Sequence, residues 1–441
     1  MPKHTWLLLF CLSLSAAAAP PAWLANSVIY EVYPRDFSAS GDLKGVTAGL
    51  DRLHQLGVDV VWLMPIHPIG QVKRKGTLGS PYSVRDYYAI NPDYGSKDDL
   101  HRLMAEAHSR GMKVIIDIVA NHTAWDSVMM KTPEFYKHNA SGQIIPPVPE
   151  WDDVAALDYS NPRLRAYMID MLRYWVRDFD LDGFRCDAAG MVPVDFWDSA
   201  RAELDKLKPG MLWLAEWHDP ALMAKAFDLD YAWPLHNALS EVFHKGGPAR
   251  NLRAAWEDER AKYPNGALHM RMSDDHDEER AIVRFGKGGA LAASALMFTL
   301  DGVPLLYEGM EASDTAESGG AALFERLPVF WKNAERRPEF PRFYSSIVAL
   351  RHAHPALQQG ATEWLRNSDE ARIVTFIRRG GGEEFLVAIN FSNQPFFGQV
   401  DAAPGFAEVT PGIEKPGASA PPSLVLDAWG FRIFERRTVR Q

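Results

Sequence analysis

The chain has 441 residues, of which 47% are hydrophobic and 24% are charged. This composition is that of a globular protein, and the length exceeds one typical domain, so we expect one large domain with one or two small ones. The formal net charge of −10 is not offset by any cluster of basic residues. The charge therefore argues against a nucleic-acid partner.

Residues 1–18 have the pattern of a signal peptide. Lys3 and His4 precede an apolar run that is too short to span a bilayer, and the alanines at 16–18 offer small residues for cleavage. The pattern predicts a secreted or periplasmic protein, with no membrane anchor after signal cleavage. Only Cys186 would remain in the mature chain, so no intramolecular disulfide is expected.

From residue 28 to about residue 355, apolar strand-like stretches alternate with amphipathic helical patterns. This alternation is typical of a parallel sheet covered by helices, and eight such units indicate an α/β fold of the closed (β/α)8, or TIM barrel, type. The predicted strands are Val28–Tyr33, Val58–Met64, Lys113–Val119, Gly183–Asp187, Leu212–Glu216, Ala226–Ala232, Leu268–Ser273 and Val303–Tyr307.

Two further units are predicted outside the barrel, which takes residues 19–120 and 161–357. Residues 121–160 form a proline-rich connection that is too long for a barrel loop, and a long insertion is usually functional. We expect a small excursion domain over the barrel mouth. Strand-like runs and a triple-glycine turn then predict a C-terminal antiparallel β-sandwich domain over 358–441.

Polar residues gather at the ends of the third, fourth, fifth and seventh predicted strands, where such barrels carry their active sites. Any one of them alone is more often a helix cap, a solvated loop residue or a structural histidine. Four coincidences on one rim are hard to explain in that way. The residues are Asn121, His122, Arg185, Asp187, Glu216, Asp275, His276 and Asp277.

This set suits glycoside hydrolysis with retention, which needs a nucleophile and a second carboxyl group whose pKa values are pushed apart. Arg185 and Asp187 lie two residues apart in a strand and should share a face, so the guanidinium is expected to hold Asp187 ionised. Glu216 lies between Trp213 and Trp217, and this partly apolar setting is expected to keep it protonated. Asp277 could stabilise positive charge on the sugar.

Longer motifs resemble those of the α-amylase family, glycoside hydrolase family 13. The resemblance covers nearly the whole mature chain in the expected order, and it implies the same three-domain layout. Besides the strand ends, the motifs are Tyr30–Phe37, Trp62–Ile66, Tyr82–Tyr87, Gly302–Glu311 and Phe343–Pro355.

The resemblance implies a role for each site residue. Asp187 would be the nucleophile, Glu216 the acid/base and Asp277 the stabiliser of the transition state. The subsite for the attacked glucose would be lined by Tyr82, His122, Arg185 and His276. The implied partner is an α-glucan or maltooligosaccharide, cleaved at α-1,4 bonds by double displacement.

The chain departs from the family just after the nucleophile, where the Lys-His pair of many members is missing around Ala189-Gly190. In those members the pair contacts the leaving-group side and helps to bind calcium. The chemistry itself needs no cofactor. Asn121 matches a calcium-ligand position, and further oxygen ligands could come from Asp152, Asp153 and Asp158, although acids clustered in a loop are more often only solvated.

Two other functions compete with this interpretation. An exo-acting α-glucosidase or a transglycosylase would share the catalytic trio and differ in how water reaches the intermediate, which the sequence does not reveal. A non-catalytic glucan-binding relative would be expected to have lost catalytic carboxylates, whereas Asp187, Glu216 and Asp277 are all present. The sequence does not set the oligomeric state, the chain-length preference or endo against exo attack.

Overall fold

The computed structural model describes residues 20–412 and 420–437, and the signal peptide predicted for residues 1–18 lies outside them. The strands of the described residues are β1 (Ile29–Val32), β2 (Val60–Leu63), β3 (Lys113–Val119), β4 (His122–Ala124), β5 (Val154–Ala156), β6 (Gly183–Asp187), β7 (Leu212–Ala215), β8 (Leu229–Tyr231), β9 (Leu268–Arg271), β10 (Val303–Tyr307), β11 (Ala361–Trp364), β12 (Ile373–Gly380), β13 (Glu383–Asn390), β14 (Phe396–Gln399), β15 (Ala407–Glu408), β16 (Ser423–Leu426) and β17 (Phe431–Arg437).

Helices follow most of the barrel strands along the chain. They are α1 (Leu43–Leu56), α2 (Lys97–Ser109), α3 (Pro162–Phe179), α4 (Val194–Asp205), α5 (Trp233–Lys245), α6 (Arg250–Lys262), α7 (Ala281–Thr299), α8 (Asn333–Arg336), α9 (Glu339–Ala353) and α10 (Pro355–Gln359). The predicted cap of α3 is present, because the side chain of Asn161 accepts a hydrogen bond from the Arg163 N–H and Pro162 takes the first helical position.

Eight parallel strands close into a barrel in the order β1-β10-β9-β8-β7-β6-β3-β2, which confirms the predicted fold class. All eight predicted strands are present, although the sixth is shorter than predicted and covers only Leu229–Tyr231. Residues that alternate along each strand fill the barrel interior. They include Ile29, Val60, Trp62, Ile115, Leu212, Leu214, Met270 and Leu305.

The strand that carries Arg185 and Asp187 fits closely against its neighbour. A side chain at Gly183, the first residue of β6, would place its Cβ 2.1 Å from the carbonyl oxygen of Leu212 in β7. Glycine therefore allows the two backbones to approach at the base of the strand. Phe184 and Cys186 face the surrounding helices, which leaves Arg185 and Asp187 on the inner face, as predicted from the strand period.

The insertion between β3 and α3 contains the antiparallel pair β4 and β5, with His122 opposite Ala156. Because β4 begins three residues after β3 ends, the insertion starts directly at the barrel rim. Its loop brings Trp151 to within 5.6 Å of His122, measured between ring centroids. The insertion therefore forms part of the wall above the C-terminal ends of the barrel strands.

The C-terminal strands form a five-stranded antiparallel sheet, ordered β11-β12-β13-β17-β15, and a two-stranded sheet of β14 and β16. A separate apolar core lies between the sheets and includes Ile377, Leu386, Phe396 and Leu426. This arrangement is the predicted antiparallel sandwich. The other face of the larger sheet joins the main core through residues such as Phe376.

One helix among the described residues, α7, is long and apolar enough to cross a membrane by length and composition alone. Of its most apolar window, 61% is buried inside the protein. The helix contacts α5 and α9, so its apolar residues belong to the outer layer of the barrel. Its apolar character is accounted for by this packing.

Candidate active site

Arg185 is the central residue at the C-terminal end of the barrel. Its side chain is fully buried, and its guanidinium lies between 5.2 and 5.7 Å from the ring centroids of Trp62, Tyr82 and Tyr231. One nitrogen, Nη1, donates hydrogen bonds to Asp117 at 3.0 Å and to Asp187 at 3.2 Å. A buried cation of this kind is stable only with such carboxylate partners.

The same guanidinium also contacts Glu216. Nη2 of Arg185 lies 2.8 Å from Oε1 of Glu216, and the two groups form an ion pair that is not aligned as a hydrogen bond. The other oxygen of Glu216, Oε2, accepts a hydrogen bond from the Ala188 N–H at 2.7 Å. Neighbouring nitrogens of one guanidinium therefore contact Asp187 and Glu216, and the two carboxyl groups lie side by side. Retaining glycoside hydrolysis needs two carboxyl groups about 5–5.5 Å apart, and the shared guanidinium makes Asp187 and Glu216 neighbours of the kind that this chemistry uses.

Tyr82 and His276 form a second connected group. The Tyr82 hydroxyl donates a hydrogen bond to Asp117 at 3.1 Å and is 2.7 Å from Nε2 of His276, and the two rings stack with centroids 5.4 Å apart. Nδ1 of His276 donates to the buried Glu31. Nε2 of His276 also lies 3.3 Å from Oδ2 of Asp277, so this histidine joins the inner wall to the third carboxylate.

The protonation of Asp187 differs from the sequence-based expectation. Burial, followed by the charge of Glu216, raises the pKa of Asp187 well above its ordinary value, and the opposing effect of Arg185 is smaller. Burial also raises the pKa of Glu216, against the pull of Arg185. The expectation that Arg185 holds Asp187 ionised does not agree with this direction, because burial and the charge of Glu216 together outweigh the arginine. Both raised pKa values favour a state in which the pair keeps one proton.

The two histidines of the site differ in charge. Burial lowers the pKa of His276, but the carboxylates of Asp277 and Glu31 outweigh this effect and raise it to about 10. Burial lowers the pKa of His122 to about 4, with no carboxylate to oppose it. His276 is therefore a cation at neutral pH, whereas His122 is a neutral imidazole that can donate or accept a hydrogen bond.

An open cavity of about 200 Å³ brings most of the predicted site residues together. Tyr82, His122, Asp187, Glu216 and Asp277 all line it. Arg185 and His276 lie directly behind this wall, since they are buried and contact its members. The seven residues to which the resemblance gives a role therefore occupy one place.

The structure adds residues that the sequence did not single out. Glu31 and Asp117 carry the inner hydrogen bonds, and the outer walls of the cavity include Lys75, Trp151 and Phe324. The two acids lie inside apolar strand motifs, and their inward direction could have been read from the strand period. The outer residues lie in loops, whose paths no periodicity predicts.

The indole ring of Trp217 occupies the region where the chain departs from many family members. A Cβ at Gly190 would lie 2.2 Å from this ring, so the absence of a side chain at 190 makes room for the indole. Trp217 is 38% exposed and directly follows Glu216. An exposed ring beside the acid is suited to stack against a sugar on the leaving-group side.

The three acids weighed as calcium ligands have other partners. Nζ of Lys75 lies 3.0 Å from Asp153 and 3.4 Å from Asp152, while Asp158 accepts a hydrogen bond from the Ser160 N–H. In the described part of the chain, two groups of three side chains have ligand atoms within 4.8 Å of one another, and neither group includes these acids. These three acids therefore do not form a cluster that would supply several of the six to eight oxygens that calcium requires.

Comparison with known proteins finds a matching family model and several relatives. The family model described as the α-amylase catalytic domain matches residues 31–143 and 150–349. The α-amylase MalA of Haloarcula japonica is 31% identical over 409 residues, which are 85% of this chain and 57% of MalA. The chain thus spans little more than half the length of that relative. A cyclomaltodextrinase of a Bacillus species is 26% identical, over 84% of this chain and 74% of the relative.

A solved structure extends the likeness to nearly the whole chain. The α-amylase from Lactobacillus plantarum superimposes with a TM-score of 0.83 at 32% sequence identity, covering 93% of this chain and 99% of that one. The shared fold thus includes the barrel, the insertion and the C-terminal sheets.

Proposed function

Because the chain belongs to the α-amylase family of glycoside hydrolases, we propose that it cleaves α-1,4-glucosidic bonds of starch-derived glucans or maltodextrins with net retention. The observation that carries the proposal is the pairing of Asp187 and Glu216 on one guanidinium, at the wall of a cavity that Asp277 also lines. Retention requires a nucleophile and an acid/base that lie close together.

In the first step, a carboxylate oxygen of Asp187 attacks the anomeric carbon while Glu216 gives its proton to the glycosidic oxygen. One proton shared by the two acids supplies the acid, and the positive charge that develops on the sugar favours ionisation of Asp187. The bond to the leaving sugar breaks, and a glycosyl ester on Asp187 forms. Asp277, at 41% side-chain exposure, faces the open cavity and stabilises that positive charge.

In the second step, Glu216 is a carboxylate and takes a proton from water, whose oxygen attacks the anomeric carbon. The ester bond breaks, Asp187 leaves as a carboxylate, and the sugar is released with its original anomeric configuration. The N–H of Ala188 holds Glu216 in place through both steps.

The inner residues bind and orient the attacked glucose. Arg185 fixes both carboxyl groups, and the cationic His276 holds Tyr82 and Asp277 from behind the cavity wall. The neutral His122, which lines the cavity, supplies a hydrogen-bond donor to a sugar hydroxyl. Tyr82 offers a ring face at the bottom of the cavity. Trp151 of the insertion and Phe324 of the facing loop enclose the sugar from the two sides.

Product analysis tests this proposal. The purified protein is incubated with maltotriose, maltoheptaose, soluble starch, a cyclomaltodextrin, pullulan, sucrose and trehalose, and the products are followed by proton NMR within the first minutes. We expect cleavage of the α-1,4-linked substrates and initial release of the α-anomer. Initial release of the β-anomer would overturn retention, and no cleavage of any α-1,4-linked substrate would overturn the assigned activity.

The reaction with cyclomaltodextrin distinguishes endo attack from exo attack. One relative is named a cyclomaltodextrinase, and a closed ring can be opened only by internal cleavage. Turnover of the ring together with maltoheptaose supports endo attack. Release of glucose alone from chain ends, with the ring intact, supports the exo-acting alternative, and products longer than the substrate support transfer.

We also propose export of the protein, on the pattern of residues 1–18. Expression of the full chain in a bacterial host, followed by fractionation and N-terminal sequencing, tests this. Cleavage near residue 18 with product in the periplasm or medium agrees with export. An intact N-terminus in the cytoplasm would contradict it.

A further inference from the structure

Three potential metal-ligating side chains meet outside the barrel wall, away from the cavity. His218 follows Glu216 by two residues in the loop after β7, Glu259 lies in α6, and His269 lies in β9. Each offers a ligand atom within 4.8 Å of the atoms of the other two. Glu259 and His269 are buried, and the side chain of His218 is 18% exposed.

The hydrogen bonds of the two histidines fix which nitrogen is free. Nδ1 of His269 donates to Oδ1 of Asp230, and Nδ1 of His218 donates to the carbonyl oxygen of Tyr231 at 3.2 Å. A neutral imidazole that donates through Nδ1 carries a lone pair on its other nitrogen, Nε2.

One buried carboxylate serves both rings. The side chain of Asp230 has no exposed surface, and while Oδ1 bonds His269, Oδ2 lies 3.7 Å from Nδ1 of His218. A histidine that ligates a metal almost always donates its second N–H to a carboxylate or a carbonyl in this way. Each of the two imidazoles therefore has the carboxylate or carbonyl acceptor that this pattern requires.

One ligand atom from each histidine and one from Glu259 converge at this place. Nε2 of His269 lies 3.6 Å from Oε1 of Glu259, and Nε2 of His218 is buried without a hydrogen-bond partner among the described residues. Glu259 is held in place by Arg271, whose nitrogens bond its two oxygens at 2.7 and 3.0 Å. Arg271 thus offsets the charge of Glu259, whereas a metal ion would give the buried Nε2 of His218 the partner that it lacks among the described residues.

We propose that His218, Glu259 and His269 bind a divalent transition metal of the zinc class. A tetrahedral zinc ion with bonds of about 2.0–2.1 Å separates its ligand atoms by about 3.4 Å, close to the 3.6 Å between His269 and Glu259. Two imidazoles and one carboxylate favour zinc over calcium or magnesium, which select oxygen ligands. The fourth position would be taken by water.

The site would anchor the loop that carries the acid/base. The loop is otherwise tied to β8 by the hydrogen bond of His218 and by the bond from the Tyr231 N–H to the Trp217 carbonyl at 3.2 Å. A metal bond to His218 adds a link to α6 and β9. The metal is therefore a stabilising element of the fold and takes no part in bond cleavage.

Metal analysis of the purified, untagged enzyme tests the proposal. After dialysis against a chelator, zinc is titrated by calorimetry, melting temperature is followed, and cobalt is added as a spectroscopic probe. We expect one bound zinc per chain, a melting temperature that rises by several degrees on zinc addition, and the visible absorption of tetrahedral cobalt. Binding of no stoichiometric metal, or zinc addition without any shift in melting temperature, would overturn the proposal.

Variants locate the site. His218→Ala, in a loop, should fold and should weaken zinc affinity by at least about tenfold, and the cobalt spectrum should change. His138→Gln is the matched control, because His138 is an exposed histidine of the insertion, and it should leave affinity unchanged. Equal affinities of His218→Ala and the unaltered enzyme would show that the metal binds elsewhere and would refute the assignment.

Discussion

Arg185 and Glu216 are in contact, with Nη2 of the arginine 2.8 Å from Oε1 of the glutamate. The arginine that the sequence pairs with Asp187 is therefore shared by both carboxyl groups. Burial raises the pKa of each, and the charge of one opposes ionisation of the other. The separation of roles between an acid and a nucleophile then depends on the substrate, whose glycosidic oxygen takes the shared proton.

Asp187→Asn should abolish turnover and leave the fold and glucan binding intact. The change removes the nucleophile but very little volume, and Arg185 can still donate a hydrogen bond to the amide oxygen. Initial rates should fall by at least roughly a thousandfold, about 4 kcal/mol in the barrier. Calorimetry with maltoheptaose and a melting curve serve as controls. Activity comparable to that of the unaltered enzyme would refute the assignment of the nucleophile.

Glu216→Gln should affect substrates according to their leaving groups. Natural oligosaccharides need protonation of the glycosidic oxygen, whereas a glucosyl or maltosyl fluoride does not. The loss of kcat/KM should therefore be about a hundredfold larger for maltotriose than for maltosyl fluoride. The loss of kcat/KM on each substrate is measured with one preparation of the variant. Equal losses on both substrates would count against the acid role.

Trp217→Ala should weaken the binding of sugar units on the leaving-group side. The exposed indole beside Glu216 offers about 1.4 kcal/mol of stacking, so kcat/KM for maltoheptaose should fall about tenfold. Trp217→Phe keeps a ring and should lose less. Gly190→Ala should resemble Trp217→Ala, because its Cβ would lie 2.2 Å from the indole and displace it. Unchanged kinetics in both alanine variants would exclude this role.

Lys75→Met should loosen the tie between the loop after β2 and the insertion. The ammonium contacts Asp152 and Asp153 and donates to the Glu150 carbonyl at 2.9 Å. A partly exposed ion pair contributes only about 0.2–1 kcal/mol to stability, so the melting temperature should change little. KM for maltoheptaose should rise severalfold. Lys137→Met, at an exposed position of the insertion, is the control, and an equal rise there would contradict the role of Lys75.

Because of His276, the free energy of unfolding should fall as the pH rises into the alkaline range. Its pKa in the folded protein is raised to about 10 by Asp277 and Glu31, against burial, from an ordinary value near 6.5. The protonated ring therefore stabilises the fold fully below about pH 6.5, and this contribution is lost as pH rises through 10. The free energy of unfolding, measured with urea, should differ less between the enzyme and His276→Gln at pH 10 than at pH 6.5. A difference that stays constant over this range would contradict the prediction.

The barrel and its rim were predictable because a buried parallel strand is a continuous apolar run and its polar end residues stand out. Glu31 and Asp117 were not singled out, since single acids within strand motifs do not reveal their hydrogen-bond partners. The edge strands β11 and β14 were missed because half-exposed strands show weak alternation. Trp151 was missed because the path of a long loop depends on tertiary contacts.

The covalent bond between Asp187 and the sugar tests the account most directly. Glu216→Gln enzyme is mixed with a maltosyl fluoride, which loads the nucleophile without an acid, while release is slow without a base. Mass spectrometry of the quenched protein and of its peptides then locates the adduct. We predict one added maltosyl group on the peptide that contains Asp187, absent in the Asp187→Asn double variant. An adduct on another residue, or turnover of the fluoride to the β-anomer with no adduct, would contradict the account.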